Sequence, residues 1–117
     1  MWFFASTVAA LTVMAPIFAV HNRLDKSLPA AGQTVGSPKE IRLWFTEKVQ
    51  PALSRITLTT ADSGNVAIGN PRATDDPKSI AVDVAGPLSP GKYTVSWRTA
   101  GDDGHAVRGR FSFSVAP

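Results

Sequence analysis

The chain has two histidines, and each stands beside groups that bind metal ions. His21 falls where an apolar leader ends, and His105 closes the triplet Asp103-Gly104-His105 ahead of the last alternating stretch. Cleavage next to His21 would leave an α-amino group beside an imidazole, two nitrogen donors close together. Asp103 and His105 are two apart, so in extended backbone their side chains leave on the same side. The glycine between them lets the backbone bend and approach closely. A carboxylate and an imidazole so placed can share a metal, or the carboxylate can orient the ring from behind. An isolated triplet of this kind more often makes a local hydrogen bond; the second histidine, at the end of the leader, raises the metal reading.

Nitrogen and oxygen donors suit Cu(II), which outcompetes other divalent ions at such sites. Cysteine is absent, and both methionines lie in the leader, so residues 21–117 hold no soft sulfur ligand. The expectation is one Cu(II) per chain, on condition that the two ends of the domain meet.

The leader, residues 1–20, is continuously apolar or small and carries no charge. Pro16 interrupts a helix just ahead of Ala19, a small residue suited to a cleavage point. The segment therefore reads as a signal peptide cut near Ala19 or Val20, leaving residues 21–117 as the exported domain. Its length also suits an uncleaved membrane anchor. If Val20 remains first, its amine, the Val20–His21 amide and the His21 imidazole can still chelate.

The rest of the chain must bring these donors together. Its 117 residues, 44% hydrophobic and 18% charged, describe one globular domain. The net charge of +3 comes from basic residues such as Arg42, Lys48, Arg55, Arg72, Lys78, Lys92, Arg98, Arg108 and Arg110, which form no run along the sequence. A nucleic-acid binder would show a clustered stripe with aromatic partners, so no nucleic-acid partner is expected. No cysteine means no disulfide framework and no thiolate site.

A period of two marks half-buried antiparallel strands at residues 41–45, 56–59, 66–68, 80–84, 93–97 and 111–115. Asp62-Ser63-Gly64-Asn65 reads as a hairpin turn, and Leu88-Ser89-Pro90-Gly91 as a turn into the strand that begins near Tyr93. No helical periodicity of useful length occurs, so the chain is all-β, a sandwich or barrel. Phe45, Tyr93, Trp97, Phe111 and Phe113 fall on apolar faces and are assigned to the core. Trp44 is out of phase with them and is free to cover a metal site or a partner surface.

His21, Ser27-Leu28-Pro29-Ala30, Ile41-Arg42-Leu43-Trp44-Phe45-Thr46-Glu47, Asp76-Pro77-Lys78-Ser79, the run from Leu88 to Arg98 and Asp103-Gly104-His105 follow one another in order. This set resembles the CopC family of periplasmic copper-resistance proteins over residues 21–115. The resemblance implies a Greek-key sandwich of about seven strands, immunoglobulin-like or cupredoxin-like, that binds Cu(II) in the periplasm. It implies His21, through amine and imidazole, with Asp103 and His105 as ligands, and Glu47 as a candidate weak or axial oxygen. It further implies a monomer that carries or sequesters copper and passes it to an inner-membrane transporter of the CopD type. The Met-rich Cu(I) loop of some relatives has no counterpart, because residues 64–72 contain no methionine.

Two other functions remain open on the sequence. One is a metal-free immunoglobulin-like interaction module. The other is a redox enzyme with a histidine brace, against which stand the short chain and the lack of a flat aromatic substrate face. No Ser-His-Asp set or phosphate-cradling glycine loop is present, so catalysis is not expected.

Overall fold

The computed structural model describes residues 7, 9, 10, 22–101 and 103–117. The expected signal peptide lies almost wholly outside the described residues, as does His21. Among the described residues, no helix is long and apolar enough to cross a membrane.

Among the described residues nine strands form where side chains alternate or where a neighbour offers a free edge: β1 (Leu24–Leu28), β2 (Thr34–Val35), β3 (Glu40–Phe45), β4 (Arg55–Thr60), β5 (Asn65–Val66), β6 (Arg72–Ala73), β7 (Ser79–Asp83), β8 (Gly91–Ala100) and β9 (Ala106–Val115). A single 3-10 turn at Pro51–Leu53 links β3 to β4. The smaller sheet has the order β1-β3-β7-β6, the larger β2-β9-β8-β4-β5. Both are open, so the molecule is a two-sheet sandwich rather than a closed barrel. The chain passes repeatedly from one sheet to the other, as Greek-key connections do.

The strand count exceeds the expected seven because β2, β5 and β6 are two-residue strands at sheet edges. β2 and β6 are too short to display a period, and β5 covers only Val66 of the expected 66–68 stretch. The five clearest sequence patterns coincide with β3, β4, β7, β8 and β9, and Asp83 faces outward as its phase requires. The expected hairpin turn joins β4 to β5, with Ser63 at a φ of 67°.

Ile41, Leu43 and Phe45 from β3 meet Ile56 and Leu58 from β4, Ile80 and Val82 from β7, Tyr93, Val95 and Trp97 from β8 and Phe113 from β9 in one core. Complete burial of side chains of this size contributes about 1.5–3 kcal/mol each. Phe111 is half-buried and packs against the cluster. Polar atoms within the core find partners: Tyr93 donates its hydroxyl to the Ser89 carbonyl (2.7 Å), and the Thr99 hydroxyl meets Ser54 Oγ at 2.7 Å.

Two contacts organise the end of the sandwich that matters here. Phe45, paired with Leu24 at the start of β1, meets Trp97 edge-to-face with ring centroids 5.1 Å apart. Trp97 lies opposite Gly109, whose missing side chain makes room for the indole; a Cβ there would stand 2.6 Å from Trp97 Cζ2. The beginning of β1, the end of β3 and the far end of the β8–β9 hairpin are thereby joined.

Candidate metal centre

β8 and β9 pair without interruption from Gly91 opposite Val115 to Ala100 opposite Ala106. This long hairpin carries the connecting loop to the end of the sandwich. The Gly104 N–H donates to the Gly101 carbonyl (3.0 Å), and Gly104 has a φ of 77°, a conformation a side chain would strain.

Within the loop Asp103 engages His105 twice. Its Oδ1 accepts the His105 backbone N–H at 3.0 Å, and its Oδ2 lies 3.0 Å from His105 Nδ1. The first of these contacts, and then the second, hold the Asp103 carboxyl below the usual carboxylate range. Both side chains are exposed, 67% for Asp103 and 76% for His105. With Nδ1 turned to the carboxylate, the ring is oriented and its Nε2 is left as the outward donor. Of the two arrangements the spacing allows, this is the one in which aspartate orients histidine.

Glu47, another predicted ligand, follows the end of β3, where β3 pairs with the start of β1. His21 lies outside the described residues, but its neighbour Asn22 is buried. Asn22 Oδ1 accepts the Glu47 backbone N–H (3.0 Å) and the Thr46 hydroxyl (3.2 Å). The Thr46 N–H donates to the Arg23 carbonyl (2.9 Å), and the Arg23 N–H donates to Thr46 Oγ1 (3.2 Å). Four hydrogen bonds thus clamp the chain just after His21 onto the turn that carries Glu47. Sequence reasoning missed this clamp, since a single asparagine gives no periodic signal. Asn22 Nδ2 is buried and, among the described residues, has no hydrogen-bond partner.

Glu47 itself is exposed. No three metal-ligating side chains are gathered among the described residues, so Glu47 does not join Asp103 and His105 in a preformed trio. What stands complete is the arm of the β8–β9 loop, an imidazole with the carboxylate that orients it. Trp44 is half-buried, flanked by Arg42 (4.5 Å from guanidinium carbon to ring centroid) and the Lys26 ammonium (4.8 Å). Its ring borders a shallow depression shared with Asp25, Thr46, Asp76 and Lys78, and its cation contacts account for its position.

Comparison with known proteins gives one consistent result. The sequence model of the CopC domain matches residues 24–116. Copper resistance protein C of Xanthomonas campestris pv. juglandis is 38% identical over 114 residues, covering 92% of this chain and 89% of the relative. Protein YobA of Escherichia coli is 32% identical over 114 residues, 96% of this chain and 92% of the relative. Among solved structures, PcoC, a methionine-rich copper resistance protein from Escherichia coli, aligns with a TM-score of 0.77 at 31% identity, over 83% of this chain and all of PcoC. CopC from Methylosinus trichosporium OB3b aligns at 0.76 and 32% identity, over 83% of this chain and 95% of the other.

Proposed function

The chain belongs to the CopC family, and from that premise we propose that it is an exported protein that binds one Cu(II) per chain in copper resistance or homeostasis. The observation that carries the reading is the β8–β9 loop, where Asp103 orients His105 and leaves Nε2 outward. In this reading His105 and Asp103 supply one side of the copper site. His21 supplies the other through its imidazole and, after removal of residues 1–20, an amine at or next to it. The clamp at Asn22, the residue next to His21, supports this part of the reading. Glu47, on the clamped turn, is the candidate axial oxygen.

Two neutral imidazoles, an amine and a carboxylate form the N/O set that tetragonal Cu(II) favours. The methionine-rich character named for PcoC is not shared: both methionines of this chain fall within residues 1–20. Cu(I) held by thioethers therefore has no part in this reading. The protein acts without catalysis, as a monomer in the periplasm, carrying or sequestering copper. An inner-membrane transporter of the CopD type is the recipient we assign.

Copper uptake by the apo protein tests the reading directly. Equilibrium dialysis should retain one Cu(II) per chain, and Ala at His105 or Asp103 should weaken binding by about 10–100-fold or more. Affinity should fall as pH drops through the imidazole range, because each nitrogen must shed its proton to bind. Unchanged affinity in both variants would remove the loop from the site. N-terminal sequencing of the exported protein fixes whether His21 or Val20 comes first.

A further inference from the structure

The outward face of the larger sheet is built of arginines and hydroxyls. Arg55 on β4 stands opposite Arg98 on β8, which stands opposite Arg108 on β9, a row of three across adjacent strands. Arg110 lies in the next row, opposite Ser96, which is in turn opposite Thr57. All four arginines are exposed and, among the described residues, none pairs with a carboxylate. Together with Thr57 and Ser96 they line an open groove of about 420 Å³. Lys92 extends the same face, and the five strands of this sheet contain no Asp or Glu.

Like charges placed directly opposite across strands destabilise a sheet. A folding role for the row would work against the fold, whereas a partner of opposite charge would turn the same row into an attraction. Guanidinium groups take carboxylates in bidentate pairs. Neighbouring strands are about 4.8 Å apart, and same-face side chains along a strand about 7 Å, which matches carboxylates spaced along an extended acidic segment. A membrane surface fits less well, since the most exposed large apolar side chains, Leu28 and Leu53, lie outside these strands. A nucleic acid would need stacking platforms, whereas Tyr93 and Phe113 are buried and Trp97, which lines the groove beside Gly109, is only 8% exposed.

We propose that this face docks an acidic polypeptide segment of a partner protein. The Arg98–Arg108 pair stands two positions before Ala100 and Ala106, the last ladder pair before the Asp103–His105 loop. A partner held there sits beside the proposed copper arm and is the protein that exchanges metal with it. This last assignment rests on the copper reading; the docking itself does not.

The test uses the metal-free protein in its exported form, with the leader removed, in chelator at low salt and with a capped octaglutamate peptide as probe. Backbone amide shifts should move in β4, β8 and β9, and the double reversal R98E/R108E should weaken binding by more than about tenfold. R98Q/R108Q serves if the reversal perturbs folding and should weaken it in the same direction. K39E/K78E, with the same change in net charge away from the face, should stay within about threefold of wild type. Equal loss in K39E/K78E, unchanged binding in R98E/R108E, or retention by phosphatidylglycerol-containing vesicles but not by the peptide would each overturn the proposal. Cu(II) uptake is measured on the same proteins. Wild type that binds peptide but no copper would overturn the copper reading and leave the docking face standing.

Discussion

The two sheets present charge to solvent in opposite ways. On the smaller sheet Glu40 stands directly opposite Asp83, a repulsive pair that Arg72 bridges by ion pairs to both. The Glu40 contact first, and then that of Asp83, raises the Arg72 pKa above its ordinary value. Arg42 is likewise engaged, with Asp75 at 2.7 Å and with the Trp44 ring. On the larger sheet Arg55, Arg98 and Arg108 oppose one another with no anion between them. The same alternation of residues produced both faces. One uses its arginines to quiet local repulsion; the other leaves its arginines available.

The largest effect is expected beneath the arginine face. A methyl at Gly109 would collide with Trp97, whose indole is already held against Phe45. Gly109→Ala should cost about 1–3 kcal/mol in urea unfolding and alter tryptophan fluorescence, by overpacking a rigid aromatic contact. An unchanged midpoint would mean that the β8–β9 register, which aligns the arginine row, tolerates displacement of the indole.

A smaller effect carries the sharper comparison, because it has opposite signs on the two faces. Arg72→Ala removes the bridge between Glu40 and Asp83 and should lower the urea unfolding midpoint slightly. Arg98→Ala relieves repulsion from Arg55 and Arg108 and should change stability by less than about 0.5 kcal/mol, towards gain. Both effects should shrink in high salt. Loss of equal size in the two variants would erase the distinction drawn between the faces.

The smallest effect belongs to the β4–β5 turn at the edge of the larger sheet. The Thr60 hydroxyl bonds the Asp62 carboxylate and, with the Asp62 backbone, holds its pKa below the ordinary value. A depressed folded pKa adds stability that is present above the unfolded value and is lost as pH falls through the folded one. The carboxylate resonance of Asp62 should thus titrate below the normal carboxylate range, and Thr60→Val should move it upward. Asp62 is fully exposed, so the global unfolding midpoint should scarcely respond.

Much of this architecture could be read from alternation. β3, β4 and β8 bury every second residue, β9 does so from Phe113, and β7, buried on both faces from Ser79 to Val82, shows its phase only in the outward Asp83. β1 escaped because a bulge between Leu24 and Lys26 breaks its pleat and only Ser27 is fully buried. The ends of β8 and β9 escaped because Thr99 contributes a buried hydroxyl where an apolar residue would have announced a strand. Asp103 and His105 were legible as a local pair, and their contact is one of the two arrangements their spacing allows. The arginine row was not. Arg55 and Arg98 lie far apart in sequence and look scattered until the register of β4 on β8 sets them side by side. The Asn22 clamp was hidden for the same reason, since its partners lie at Thr46 and Glu47.

The sheet edges have a consequence for how copies of this protein behave together. β2, β5 and β6 close three of the four edges with only two residues each, and β1 closes the last with a bulge beside the charged pair Asp25 and Lys26. Long, flat edges serve as templates on which another chain can add a strand; short, bulged and charged ones do not. The exception is β9, which β2 covers only at Ser114 and Val115, so the stretch from Ala106 to Arg110 is the backbone this domain offers its neighbours at high local concentration. Arg108 and Arg110 on that stretch set like charges against one another when two copies meet edge to edge, and so oppose strand addition where the edge is longest.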